Sequence, residues 1–325
     1  MYANQQIEQL DRKAMQALQL ERLKKQVKWA QEKSFFYQQK FSAARVSYKD
    51  IQSLADIERL PLISQNELYG IDALDMLTMP VASTLRFAVL PKEPRVVTRL
   101  YTNGDIAHNI EMMARALVAA GVNNTSVVAI QGDMSDTRLM DVQYALEFIG
   151  ATVVTMGMDY RQWLKVMNIV SMDTLISTQQ IIMQLIIQLQ STGENIANFP
   201  INKVLCLNET AIQNPMQRHL AMRTQANVYS LFAQPEIGTA SMLFQCEERN
   251  GFHINEDFFY PEIVDFNGSE IITEPNRMGE LVITTLMAEA MPLVRYRTGQ
   301  SVMLESEPCK CGRTLRRVAT PFSFM

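Results

Sequence analysis

Apolar residues recur at helical spacing near the start of the chain, at Leu10, Met15, Leu18, Leu20, Leu23, Val27, Trp29 and Ala30, with Lys, Arg, Glu and Gln between them. The pattern predicts an amphipathic helical segment over residues 5–41, closed by the aromatic knot Phe35, Phe36, Tyr37 and Phe41. Sustained heptads are missing, so a coiled coil is excluded. Residues 60–68 read as an extended piece entering a short capped turn, with Ser64 at the N-cap and Glu67 three positions later. Between Arg86 and Tyr101 the pattern is β-like and interrupted by Pro91 and Pro94.

From Ile106 the texture alternates. Helices are predicted over 106–120, 137–148, 161–170 and 179–190, with Gly121 and Gly150 as stops, and short apolar strands over 126–131, 151–156, 174–177 and 203–207. Helices and buried strands alternating at these lengths predict βαβ units around a mostly parallel, doubly wound sheet. After Val228 the chain turns to short strands at 252–254, 261–265, 280–285, 293–297 and 302–304, which predict an antiparallel second part. The expected organisation is an α/β part over 1–227 with its helical N-terminal segment, and a β-rich subdomain over 228–325. No repeats or low-complexity segments are present.

The chain has 325 residues, 47% apolar and 20% charged, the balance of a globular protein. The formal net charge is −4, the wrong sign for a protein that tracks a nucleic-acid backbone. The longest apolar run, 149–158, is half of a membrane span, and the N-terminus carries no secretory pattern, so the expected location is the cytoplasm.

Two segments carry a specific resemblance. Residues 251–265 (Gly-Phe-His-Ile-Asn-Glu-Asp-Phe-Phe-Tyr-Pro-Glu-Ile-Val-Asp) and residues 279–299 (Gly-Glu-Leu-Val-Ile-Thr-Thr through Arg-Tyr-Arg-Thr-Gly) strongly resemble phenylacetate–CoA ligases, of the adenylate-forming superfamily. The N-terminal Leu20-Glu-Arg-Leu, Phe36-Tyr and Leu60-Pro-Leu stretches are similar to the same ligases, and the order of elements agrees. The resemblance implies the N-terminal domain of an adenylate-forming enzyme, activating a carboxylate with ATP and Mg²⁺ and passing it to CoA.

Set beside the family motifs, the chain departs at four places. The family's Gly/Ser/Thr-rich phosphate loop corresponds to residues 88–94, Ala-Val-Leu-Pro-Lys-Glu-Pro, where two prolines remove amide donors and Lys92 is the remaining group for a phosphate. The family's Tyr-Gly-x-Ser/Thr-Glu becomes Phe232-Ala233-Gln234-Pro235-Glu236; the matched position makes Glu236 a Mg²⁺ ligand, the bare sequence a solvated surface acid. The family's Arg-Tyr-Arg-Thr-Gly-Asp ends in Gln300, whose single carbonyl cannot replace a carboxylate accepting two ribose hydroxyls, while Arg297 stays. Finally, the chain stops at Met325, about where the family's hinge leads into a mobile C-terminal domain with a Lys that stabilises adenylation, so that domain is expected to be absent.

Cys246, His253, Cys309 and Cys311 offer three thiolates and an imidazole, a closed set of the kind that holds structural zinc. Read alone, the spacing also fits cysteines that never meet. Several relatives of the phenylacetate–CoA ligase group carry a Cys…His…Cys-x-Cys set at these places. Cys206 is expected inside a strand, His108 and His219 on the surface, and Met112, Met113, Met156, Met158, Met287 and Met291 in the core, some of them lining an acyl pocket.

The leading expectation is a degenerate ligase-like protein that binds an aromatic or acyl carboxylate, or its CoA thioester, without normal adenylation. The alternatives are an active ATP-dependent acid–CoA ligase using Glu236, Arg297 and Lys92, and a structural partner acting as a homodimer or a subunit beside a ligase. Phe232, Gln300 and Lys92 are the candidate nucleotide contacts.

Overall fold

The computed structural model describes residues 1–92, 95–209, 215–274 and 276–320, without the side chains of Pro91, Lys92, Arg95 and Pro215. In chain order the regular elements begin with α1 (Gln5–Glu8), α2 (Arg12–Lys33), α3 (Phe35–Ala43) and α4 (Gln65–Tyr69). The hairpin β1 (Arg86–Lys92) and β2 (Arg95–Tyr101) leads into α5 (Asn103–Ala119). Then follow β3 (Val127–Gln131), α6 (Thr137–Ile149), β4 (Thr152–Met156), α7 (Arg161–Met167), β5 (Thr174–Thr178), α8 (Gln179–Ser191), β6 (Lys203–Asn208), α9 (Pro215–Thr224) and β7 (Asn227–Phe232). The last strands are β8 (Leu243–Phe244), β9 (Phe252–Ile254), β10 (Phe259–Val264), β11 (Gly279–Thr285), β12 (Tyr296–Glu305) and β13 (Arg317–Ala319).

These elements form two compact units. The α/β unit takes residues 109–250 with 1–3, and the composite unit takes 4–108 with 251–325. The sequence boundary at 227/228 therefore falls at the start of β7, inside the α/β unit, because that strand completes the parallel run.

In the α/β unit the strand order is β8-β7-β6-β5-β3-β4. Every pairing from β4 to β7 is parallel, and β8 runs antiparallel to β7. The crossover helices cover the strands because each strand is apolar on both faces, as Val204, Leu205, Cys206 and Leu207 are in β6. Ile182, Leu185, Ile186 and Leu189 of α8 close one layer over Leu175 and Val204. Helix α6 starts at Asp136, whose carboxylate caps Arg138 N, and stops at Gly150 in the left-handed region (φ 87°). Of the methionines expected in the core, Met112, Met113 and Met156 are buried, whereas Met158 is exposed in the loop beyond β4.

In the composite unit the order β10-β11-β12-β13-β9 is antiparallel throughout, as expected for the β-rich part. Where two strands were expected at 293–297 and 302–304, one strand runs through a bulge. Register with β11 shifts between Glu280 and Val282, and Gly299 takes up the extra residue at φ 73°, a conformation that favours glycine. Pro91 does not break its strand either: it pairs with Val96 in a two-stranded ribbon, whose edges tolerate a missing amide. The N-terminal segment divides into α1, α2 and α3, and α2 buries Met15, Leu23, Val27 and Ala30 as its periodicity predicts. Ser64 caps α4 by accepting from Glu67 N (3.1 Å), while the Glu67 carboxylate pairs with Lys40 (2.5 Å).

The centre of this unit is a buried ion pair. Arg295, 1% exposed, donates to both Glu262 oxygens (2.8–3.2 Å) and to the Glu58 and Leu60 carbonyls (3.0 and 2.8 Å). Nearby, Ile63 pairs with Tyr296, giving its N–H to Arg295 O and accepting from Arg297 N at 2.9 Å each.

A second buried acid, Glu256, receives Arg12 Nη1 (2.8 Å), Arg316 Nε (2.6 Å) and Arg316 N (2.7 Å). Burial pushes its carboxyl up, but the two guanidiniums outweigh burial and hold it below the ordinary value of 4.5. A carboxyl held low in the fold contributes stability that is complete above the unfolded value and is lost as pH falls below it. Glu256→Gln is therefore expected to be less stable near neutrality by roughly 1–3 kcal/mol. In melts from about pH 5 to about pH 3 it should lose less stability than the unaltered chain. Equal slopes would overturn this assignment.

Candidate functional site

The α/β unit places Phe232 and Glu236 where open α/β sheets hold ligands, outside the carboxyl ends of the parallel strands. Phe232 is the last residue of β7 and pairs with Asn208, the last of β6. The chain then leaves the sheet in a tight turn: Ala233 N donates to Asn208 O (2.6 Å), and residues Pro235–Ile237 form one 3₁₀ turn. Ile237 N reaches Gln234 O and Gly238 N reaches Pro235 O (3.1 Å each), and Gly238 closes the turn at φ 81°. Glu236 has no exposed surface, which corrects its reading as a solvated acid.

The turn is held from α6, by residues that periodicity did not single out. Arg138 Nη1 donates to the Ala233 carbonyl (2.6 Å), while its Nε and Nη2 grip Asp136 (2.7–3.2 Å). At the other end Asn109 Nδ2 donates both to Gly238 O (2.9 Å) and to Asp141 Oδ2 (3.0 Å). The signal available in the sequence was the pair Arg138 and Asp141, charged residues among Leu139, Val142 and Ala145 on the buried side of α6.

In the composite unit, Arg297 and Gln300 sit on either side of the β12 bulge. Arg297 Nε donates to Glu280 Oε2 (2.7 Å), Nη1 to Gly268 O (3.1 Å), and Nη2 to Asp265 O and Phe266 O (3.2 and 2.9 Å). Its guanidinium thus fastens the loop after β10 to the sheet. The backbone N–H of Gln300 donates to Thr298 Oγ1 (3.2 Å), and its side-chain Nε2 reaches Thr298 O (3.5 Å). Lys92 ends β1, and its side chain lies outside the described residues, as do Glu93 and Pro94.

The same unit brings together three of the four expected metal ligands. His253, Cys309 and Cys311 offer donor atoms within 4.8 Å of one another, with Cys311 Sγ 3.3 Å from His253 Nε2. His253 is buried in β9, and its Nδ1 contacts the Leu315 carbonyl (3.2 Å), which fixes the ring and turns Nε2 to the thiols. Cys309 and Cys311 sit on one tight turn, closed by Gly312 N to Cys309 O (3.1 Å) with Gly312 at φ 82°. Sulfur and nitrogen donors around one tetrahedral zinc stand roughly 3.5 Å apart, so this geometry fits the ion. Burial pulls the His253 imidazole down and the Cys309 thiol up. The hydrogen bonding between them outweighs both effects and raises the imidazole while lowering the thiol. Cys246 is buried in the α/β unit, seven positions before His253 along the chain.

His108 packs on Phe258 (ring centroids 5.2 Å apart), and His219 is exposed on α9. None of the four cysteines forms a disulfide. Cys206 is fully buried in β6, and burial alone pushes its thiol up to about 12. It is expected to resist a soluble thiol reagent at pH 8 in the folded protein and to react only after denaturation; labelling of Cys206 in the native state would contradict its placement.

No family model matches the chain. It is 31% identical over 318 residues to a phenylacetate-coenzyme A ligase of Thermus thermophilus, covering 95% of this chain and 70% of that protein. It is 27% identical over 311 residues to the phenylacetate-coenzyme A ligase of Escherichia coli, covering 94% and 70%. Among solved structures, an open conformation of 2-hydroxyisobutyryl-CoA ligase with 2-HIB-AMP and CoA superposes with a TM-score of 0.88 at 18% identity, covering 96% of this chain and 75% of that one.

Proposed function

The chain belongs to the phenylacetate–coenzyme A ligase family, and we propose that it binds an aromatic or acyl carboxylate, or the corresponding CoA thioester, while holding ATP only weakly. The observation that carries this reading is Gln300. Where the family motif presents a carboxylate for both ribose hydroxyls, this chain has a neutral side-chain amide with a single carbonyl to accept them, and its Nε2 reaches back to Thr298 O (3.5 Å). The commitment of Arg297 to Glu280 and to three loop carbonyls supports the same reading, because these donor contacts are all taken within the protein. The described phosphate-loop positions, residues 88–92, lie in β1, and the sequence carries two prolines over 88–94.

A second reading, an ATP-dependent acid–CoA ligase, is favoured by one observation: Glu236 is kept, buried in a turn fixed at both ends. In that reading Glu236 holds Mg²⁺ on the phosphates. The chain would work in the cytoplasm; among the described residues no helix is long and apolar enough to cross a membrane.

Calorimetric titration separates the readings. Phenylacetyl-CoA is expected to bind without nucleotide, and Mg·ATP to bind weakly. Gln300→Asp should tighten Mg·ATP roughly ten- to a hundredfold, the equivalent of about 1.5–3 kcal/mol for a hydrogen bond to a charged group. Tight Mg·ATP binding by the unaltered chain, lost in Glu236→Ala, would replace the first reading by the second. Binding of neither compound would overturn both.

For the metal, we propose that His253, Cys309 and Cys311, with Cys246 as fourth donor, hold one structural zinc ion. Four protein donors leave no open position, so the ion would pin the β-rich strands rather than act on a substrate. Elemental analysis is expected to find one zinc per chain, with chelation lowering the melting temperature and Cys311→Ser losing the metal. A metal-free chain of unchanged stability would refute this.

A further inference from the structure

The turn that carries Glu236 has little sheet pairing of its own, yet both its ends are held. Past Phe232 its internal hydrogen bonds are those of a single 3₁₀ turn, and such a turn standing alone opens easily. A side chain meant to meet a ligand must be held to within about half an ångström, and helices hold position better than loops do. Helix α6, thirteen residues long, supplies that rigidity from two positions three residues apart on one face. Arg138 is itself immobilised, because two of its nitrogens are taken by Asp136, the helix's own N-cap, and its third is aimed at Ala233 O. Glu209 adds a longer contact to the same guanidinium (3.6 Å). Asp141 acts through Asn109: one carboxylate oxygen orients the amide whose second N–H takes Gly238 O. All three residues are at most 6% exposed, so water competes little for these bonds.

We infer that Arg138 and the Asn109–Asp141 pair are positioning residues that hold the 233–238 turn at its two ends and thereby set where Glu236 stands. The use of that turn in ligand binding rests on the function proposed above; the clamp itself does not. Neither residue touches a ligand in this scheme. Arg138 fixes the entry to the turn and Asn109 its exit, so loss of either frees the same short backbone segment.

Hydrogen–deuterium exchange read by peptide, combined with titration of phenylacetyl-CoA and of Mg·ATP, tests the clamp on the full chain. The turn amides Ala233, Ile237 and Gly238 are all hydrogen bonded, so their protection reports its closure. Arg138→Gln and Asn109→Ala are expected to speed exchange across residues 232–240 at least tenfold and to leave other peptides of the α/β unit unchanged. Either substitution should weaken the compound that the unaltered chain binds at least tenfold, with Arg138→Lys in between, since a lysine can reach the carbonyl but lacks the fork to Asp136. Exchange in the turn as slow as in the unaltered chain would overturn the clamp, and so would exchange that rises equally through the whole unit, the mark of a general packing role. A loosened turn with unaltered affinity would overturn the positioning role. If Arg138→Gln does not fold, Asn109→Ala, which removes no charge, carries the test alone. If the unaltered chain binds neither compound, the proposed function fails, and the exchange data still decide the clamp.

Discussion

Arg295 is a full positive charge in a place water does not reach, and the composite unit is arranged to satisfy it. Its guanidinium spends its donors on the Glu262 carboxylate of β10 and on two carbonyls near residue 60, so two distant stretches of chain converge on one side chain. Desolvating two ions costs several kcal/mol each, and the pair recovers that cost only with every donor placed. The backbone yields to this demand: Arg295 itself sits at φ 50°, in the left-handed region that a long side chain seldom occupies. Once Arg295 is fixed, Ile63 and Tyr296 pair, β12 starts, and the bulge with Arg297 and Gln300 follows a few residues on.

The neighbouring acids extend the same logic. Glu256 pairs with both Arg12 and Arg316, and Glu8 pairs with Arg313, so helices near the N-terminus are tied to the stretch around the last strand by charge. Breaking one member of such a set leaves the other charge buried and alone, which costs more than the intact pair contributes. The family's Arg-Tyr-Arg motif therefore divides its labour here. Its first arginine holds the fold, and its second holds a loop.

The parallel half of the fold was readable because each of its signals is local. Apolar quartets such as residues 204–207, Gly150 at a helix stop and Asp136 at a helix start each act within a few residues. The β12 bulge was not, since it depends on a register shift against β11 that no single strand encodes. Of the candidate site, Glu236 was named and its burial was not, because burial is conferred by elements far away in sequence. Arg138 and Asn109 were missed for a related reason: the turn groups they hold are main-chain carbonyls, which side-chain pattern does not reveal, although Arg138 and Asp141 on the buried side of α6 marked the place. His253, Cys309 and Cys311 were legible as chemistry, yet only the fold could bring β9 beside a turn more than fifty positions later.

The composite unit is assembled from residues 4–108 and 251–325, with the α/β unit interposed between them. On a ribosome this order has a temporal cost. The apolar stripe of α2, with Met15, Leu23 and Val27, emerges early and must wait through the whole interposed unit before the strands it packs with are made. At about 5–20 residues per second that interval lasts on the order of ten to thirty seconds. Meanwhile the interposed stretch is contiguous and can close its own sheet as it appears. The nascent chain thus carries a middle stretch able to fold at once, while α2 waits for strands that have not yet been made.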